Sequence, residues 1–149
     1  MVFQTLLMSI FPSLKHNKGG NPLNTCSFLL KGFHVKCTKS KLDQILQDHI
    51  EYPSILSVKD CLFEYGIQSA AIRKGDYSYS DFEIPFVCSI QRKEWPLASF
   101  TVVTDNNDGF ISYLDPITNA VLRISIQEFE LIDKGIFLLI DGSQKRDEI

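Results

Sequence analysis

Cys37 is the residue of this chain whose type and position most directly suggest chemistry. It lies in the stretch HVKCTKSKLDQIL, residues 34–46, just before a segment with helical periodicity and beside Lys36, Lys39 and Lys41. A helix N-terminus and nearby cations stabilise a thiolate, which is the nucleophilic form of cysteine. Cys37 is therefore a candidate nucleophile. The alternative is a small apolar side chain packed at a helix start, because free cysteine is often buried.

The histidines are poorly placed to activate this thiol. His34 is only three residues away and can approach Cys37 only locally. His49 lies at the far end of the same predicted helix, about 18 Å away at a rise of 1.5 Å per residue. We interpret His16 and His34 as surface imidazoles and His49 as making a contact within its own loop.

The cysteine spacing argues against a metal or redox site. Cys26, Cys37, Cys61 and Cys88 stand 11, 24 and 27 residues apart. These intervals match neither the paired spacing of a zinc site nor a Cys-x-x-Cys pair. We therefore predict reduced thiols, no metal and no cofactor, with Cys61 and Cys88 packed in the core.

Length and charge narrow the possible classes of protein. A chain of 149 residues fits one domain with a substantial core. The net charge is −3, from 15 basic and 18 acidic residues spread along the chain. Because no basic stripe tracks a phosphate backbone, we do not expect a nucleic-acid partner.

The first 20 residues are predicted to form a short helix and a linker. The apolar stretch MVFQTLLMSIF is shorter than the roughly 20 residues that span a bilayer, and it lacks the flanks of a signal peptide. Its apolar residues fit one helical face, which favours docking onto the domain over lying on a membrane surface. The double glycine before Asn21 indicates the linker. We therefore predict a domain over 21–142 and a disordered tail over 143–149.

The domain begins with helical patterns and continues with strands. Caps and apolar periodicity predict helices near 22–32, 38–48 and 57–65, the first opened by Asn21-Pro22 and the last ended by Gly66. Short β-branched and aromatic runs follow, with SIQEFE as one helical turn and GIFLLID as the last strand. This order predicts an α+β fold, with the helices on one face of a mainly antiparallel sheet of about six strands. The predicted core is Leu42, Ile45, Leu62, Ile72, Val87, Val102, Ile111 and Leu138.

Several motifs occur in the order seen in a known family. CTKSKLDQI, SFTVV, GFISYLDP, SIQEFE and KGIFLLI resemble landmarks of the bacteriocin-leader cysteine peptidases, papain-like domains at the N-termini of double-glycine peptide exporters. The resemblance covers roughly residues 35–141 and implies a papain-like fold. In that family a cysteine opens the first core helix, the histidine of a His-Phe-Val-Val strand is the base, and an aspartate before proline orients that histidine.

The resemblance assigns three positions in this chain and implies that the site is degenerate. Cys37 takes the nucleophile position and Asp115, followed by Pro116, takes that of the orienting acid. Ser99 stands at the histidine position, and its hydroxyl is not a useful base near neutral pH. Lys31 has the spacing of the glutamine that donates to the oxyanion. A catalytically silent domain is therefore expected, and the alternative is an active peptidase that cleaves double-glycine leaders through Cys37.

A divergent branch of the family offers a closer resemblance. The stretch VKCTKSKLDQILQDHIEYPSILSVKDCLFEYGI is similar to peptidase-like domains that precede bacterial membrane thiol oxidoreductases of the vitamin K epoxide reductase type. This implies a bacterial domain at the cytoplasmic side of a membrane, with a peptide or an adjacent membrane-protein domain as partner and no membrane insertion of its own. Trp95 is expected in a loop, either packed or anchoring a partner. A scaffold without a peptide ligand is a third possibility.

Overall fold

The computed structural model describes residues 21–148, which fold into helices and one antiparallel sheet. The predictions for residues 1–20 fall outside this range. The helices are α1 (Pro22–Gly32), α2 (Lys39–Gln47), α3 (Ile55–Phe63) and α4 (Ile126–Ile132). The strands are β1 (Gln68–Arg73), β2 (Phe86–Ile90), β3 (Ser99–Asn107), β4 (Phe110–Leu114), β5 (Val121–Ser125) and β6 (Asp133–Asp141), and a 3-10 turn covers Tyr79–Asp81. The predicted α+β class is confirmed.

Local capping explains where the helices begin. α1 starts at Pro22, as predicted, because proline fits the first helical position, but the Asn21 side chain makes no capping hydrogen bond. α2 starts after Thr38, whose side-chain oxygen accepts a hydrogen bond from the Lys41 amide at 3.2 Å. α3 starts two residues earlier than predicted, because Ser54 is the N-cap and Ser57 already lies inside the helix. Serine and threonine are favoured at such positions because their oxygens satisfy an otherwise free N–H group.

The sheet order brings the last strand into the interior of the sheet. The strands lie in the order β1-β6-β2-β3-β4-β5, and every neighbouring pair is antiparallel. β3 and β4 form a hairpin turned at Asp108 and Gly109, both of which have positive φ. This hairpin places the start of β3 beside the end of β4, where Ser99 and Asp115 are found.

Both faces of the sheet carry a core, and the three N-terminal helices pack on one of these faces, as predicted. Val87, Val102 and Leu138 face α1, α2 and α3 in a helix-side core. The opposite core contains Phe86, Phe137 and neighbouring aromatic rings, with Phe129 of α4 packed among them. Successive strand residues point to opposite faces, so one strand supplies both layers.

The second core corrects part of the predicted core. Ile72 and Ile111 belong to this opposite layer and not to the helix-side core. Leu42 and Leu62 are fully buried against the helix side, and Ile45 is half-buried against the same cluster. The assignment of Ile72 and Ile111 to one core with the helices was wrong, because a strand buried on both faces has an apolar run that does not show which face each residue uses.

The C-terminal residues also differ from the expectation of disorder. We call residues 142–148 the C-terminal strap, because they run from β6 back across the helix side. The Arg146 amide donates to the Tyr65 carbonyl at 2.8 Å, and the Glu148 amide donates to the Lys36 carbonyl at 2.8 Å.

Within residues 21–148, every helix is too short or too polar to span a bilayer.

The second core gives a direct stability prediction. Phe137 is fully buried between Tyr79, Phe82 and Phe86. Phe137→Ala should lower the free energy of unfolding by about 3–5 kcal/mol, since it removes a ring from a packed site. Urea unfolding followed by circular dichroism measures the change. Leu131→Ala, at an 85% exposed position, is the control and should change stability by less than about 0.5 kcal/mol. Similar small losses for both variants would contradict this second core.

Candidate functional site

Cys37 follows the first core helix instead of opening it. α1 ends at Gly32, and the chain turns through His34, which has φ of 60°, before it reaches Cys37 ahead of α2. The thiol is half-buried against the helix-side core. It lines a shallow depression of about 540 Å³ together with Lys31 and His34. No hydrogen bond within residues 21–148 joins Cys37 to a histidine or to Ser99.

The surroundings of Cys37 oppose thiolate formation. Burial raises the pKa of this thiol, and the negative charge of Glu148 in the C-terminal strap raises it further. A catalytic thiol needs the opposite arrangement, in which cations and a histidine lower the pKa. The lysines that the sequence places nearby do not reverse this effect.

Ser99 lies on the other face of the sheet from Cys37. It is the first residue of β3 and pairs with Ile90, a member of the core opposite the helices. Residues that pair across neighbouring strands share a face. The next residue, Phe100, packs in the helix-side core with Val102. The structure therefore does not bring the Cys37 and Ser99 side chains together.

The side chain of Asn21, at the start of α1, is hydrogen-bonded to the backbone of β3. Its side-chain oxygen accepts a hydrogen bond from the Phe100 amide at 2.7 Å, and only 2% of the residue is exposed. Its Nδ2 and the Oγ1 of Thr25, one turn further along α1, are buried without a hydrogen-bond partner among the described residues. The N-terminus of α1 is thus fixed directly against the start of β3.

Asp115 is held by an arginine. Its carboxylate accepts a hydrogen bond from Arg92 Nη1 at 3.3 Å and another from the Ile117 amide at 3.0 Å. Arg92 also donates to the Tyr113 hydroxyl at 2.7 Å and stacks over the Trp95 ring at 4.9 Å. Trp95 is half-buried against the core. The acid predicted to orient a histidine is therefore paired with a guanidinium, and it caps the turn after β4.

These positions offer little chemistry. Asn21 and Phe100 supply neither a nucleophile nor a base, and Asp115 is engaged by Arg92. Within residues 21–148, no group of three potential metal ligands is assembled. The arrangement fixes a helix to a strand and leaves the depression beside Cys37 open.

Comparison with solved structures gives the fold. The peptidase domain of Streptococcus ComA, a bifunctional ABC transporter involved in a quorum-sensing pathway, superposes with a TM-score of 0.63 at 16% identity, over 75% of this chain and 83% of that one. A double-glycine-motif protease from an AMS/PCAT transporter, in complex with its leader peptide, gives 0.66 at 14% identity, over 81% and 83%. This chain has a C39 peptidase-like fold.

A third C39-like structure agrees. It is the N-terminal peptidase C39-like domain of a toxin secretion ATP-binding protein from Vibrio parahaemolyticus, with a TM-score of 0.64 at 11% identity, over 85% of this chain and 98% of that one. No family model and no curated protein matches the sequence. At these identities the likeness establishes the C39-like fold, which agrees with the papain-like fold implied by the motifs.

Sequence reasoning missed Asn21, Phe100 and Arg92. Asn21 was recognised only as a helix start, although the first core helix is where the resembling family carries its cysteine. The sequence singled out Ser99, whereas the residue of β3 whose amide meets Asn21 is its neighbour Phe100. This contact joins residues 79 positions apart, so no local pattern reports it.

The raised pKa of Cys37 can be measured. Cys26, Cys61 and Cys88 are buried, so Cys37 is the accessible thiol of the described residues. We expect its alkylation by iodoacetamide at pH 7 to be slower than that of a free cysteine peptide, with a midpoint above the usual thiol pKa of about 8.5. The rate is followed by mass spectrometry across pH 6–10, with Cys37→Ser as the control that loses the modified species. Rapid alkylation with a midpoint below 7 would contradict the described environment.

Proposed function

We propose that this chain is a catalytically silent C39-like domain that binds a peptide. The observation that carries the proposal is the buried hydrogen bond between Asn21 and the Phe100 amide. It occupies the junction between the first core helix and the strand from which the resembling family takes its base. Cleavage chemistry would need a thiol and an imidazole at this junction.

The family pattern fits this junction better than it fits Cys37. A cysteine opens the first core helix in the family, and here the residue at that place is Asn21, before α1. Matching the valines of His-Phe-Val-Val to Val102 and Val103 places the histidine position at Phe100. Phe100 faces the helices, as a base opposite the helix start must. An amide and a phenyl ring therefore replace the nucleophile and the base.

The domain is expected to lack catalysis whether Ser99 or Phe100 occupies the histidine position. Neither side chain accepts a proton near neutral pH. General acid–base help is typically worth 10²–10⁴-fold, and generation of the thiolate also depends on the base. The raised pKa of Cys37 adds a further obstacle to catalysis at that residue.

An apolar groove supports the binding part of the proposal. It has a volume of about 290 Å³ and lies between the C-terminal half of α1, the start of β2 and the middle of β3. Its walls are Phe28, Leu29, Gly32, Phe33, Pro85, Val102 and Thr104. Grooves lined by apolar side chains with few polar groups are the usual form of a ligand site. The proposed ligand is a leader-type peptide or a segment of an adjacent domain in an exporter or membrane disulfide-forming system, at the cytoplasmic side.

An active peptidase remains the second candidate. His34 lines the same depression as Cys37, so a local thiol–imidazole pair is the arrangement this candidate would use. In the structure no hydrogen bond connects the two residues.

The proposal predicts no hydrolysis by the natural chain. Purified protein, incubated with a peptide carrying a Gly-Gly leader end, should give no cleavage above buffer when products are followed by mass spectrometry. The double variant Asn21→Cys with Phe100→His supplies a thiol and an imidazole at the junction, and a small gain of cleavage is expected. The matched control is Asn21→Cys with Ser99→His, which places the imidazole on the other face and should remain inactive.

Two results would contradict this assignment. Cleavage by the natural chain that is abolished by Cys37→Ala would establish the active peptidase, and His34→Ala would then test its base. A gain of cleavage with Ser99→His alone would return the nucleophile to Cys37. Circular dichroism of each variant verifies that the compared proteins are folded.

A further inference from the structure

The C-terminal strap lies on a surface formed by two separate parts of the chain. It crosses the end of α3 at Tyr65 and Gly66 and reaches the extended segment Lys36–Thr38 before α2. Gly66 has φ of 75°, and a Cβ built there would lie 2.0 Å from the Gln144 carbonyl oxygen. The strap therefore needs a glycine at this crossing.

The end of the strap is recognised through both its backbone and its acids. Lys36 donates its amide to the Asp147 carboxylate at 2.9 Å, while its carbonyl accepts from the Glu148 amide at 2.8 Å. The Glu148 carboxylate accepts hydrogen bonds from the Thr38 amide at 3.1 Å and the Tyr65 hydroxyl at 3.0 Å. Every one of these bonds joins positions more than 80 residues apart in sequence.

The groups around the strap's two carboxylates favour negative charge. The Thr38 amide points from the N-terminal end of α2, where the helix dipole favours a negative charge. Lys41 lines a depression of about 240 Å³ together with Asp147 and Glu148. Hydrogen bonding to Thr38 lowers the pKa of Glu148, so that its carboxylate stays charged in this position. Residues 143–147 of the strap are exposed and Glu148 is half-buried, so a competing peptide can reach this contact from solvent.

We propose that Lys36–Thr38 and Tyr65 form a docking site for an extended peptide that carries an Asp-Glu pair, which the chain's own strap fills as an exchangeable occupant. The occupant in the structure is residues 142–148, and a peptide that ends with the same Asp-Glu pair competes for the same bonds. The site is separate from the apolar groove beside α1. The proposal therefore goes beyond the proposed function and does not depend on it.

A tethered occupant competes strongly with a free peptide. Short flexible tethers give effective concentrations near the millimolar range. Free peptide should therefore bind poorly while the natural strap is docked and better when the strap's acids are neutralised. This difference separates a docking site from a permanent part of the fold.

The test is a nuclear magnetic resonance titration of the full chain. The ¹⁵N-labelled variant Asp147→Asn with Glu148→Gln keeps the surface and weakens its own occupant. We expect the synthetic peptide GSQKRDE, with both ends blocked, to shift the Lys36 and Thr38 amide signals with at least tenfold higher affinity than in the natural chain. The matched peptide GSQKRNQ lacks the two acids and should bind at least tenfold more weakly.

A triple variant tests the residues that bind the strap. Adding Tyr65→Phe to the double variant removes one donor to the carboxylate and should reduce the affinity for GSQKRDE several-fold. The proposal is overturned if GSQKRDE leaves the Lys36 and Thr38 signals unmoved in the double variant. It is equally overturned if GSQKRDE and GSQKRNQ bind alike, because recognition of the acids would then be absent. Unchanged dispersion of the remaining signals verifies the fold of each variant.

Discussion

The hydrogen bond from the Phe100 amide to the Asn21 side chain is the contact on which this account depends. It joins the start of α1 to the start of β3 in a setting where Asn21 is 2% exposed. Removing one partner of such a buried bond costs about 1–3 kcal/mol, because the other partner is left unsatisfied. The contact thus stabilises the joint between the helix layer and the sheet. We propose that this joint corresponds to the place where papain-like peptidases carry their nucleophile and base.

Asp115 and Cys37 are also held by contacts that stabilise the fold. Asp115 is neutralised by Arg92, which is itself stacked on Trp95 and bonded to Tyr113. Cys37 lies in the segment between α1 and α2, where burial and Glu148 raise its pKa. These contacts share one physical consequence, which is that the Asp115 carboxylate and the Cys37 thiol are each held in surroundings that oppose catalysis. In a catalytic site, the nucleophile and the base would be hydrogen-bonded to each other.

The sequence predicted the helices well and the site less well. Pro22 at the first helical position and the Thr38 cap mark helix starts through local chemistry, which needs no tertiary information. The face of a strand residue is different, because a shift of one residue moves a side chain to the other side of the sheet. That shift separates Ser99 from Phe100. The contacts of the strap with Lys36 join residues 111 positions apart, and no local pattern reports them.

The most direct test of the central claim is covalent trapping at the helix–strand junction. A peptide that ends in Gly-Gly with a chloromethyl ketone is added to the natural chain and to the variant Asn21→Cys with Phe100→His, and the labelled residue is identified by mass spectrometry. We expect labelling at position 21 of the variant and negligible labelling of the natural chain. Preferential labelling of Cys37 in both proteins would contradict it, because the reactive site would then lie at the start of α2.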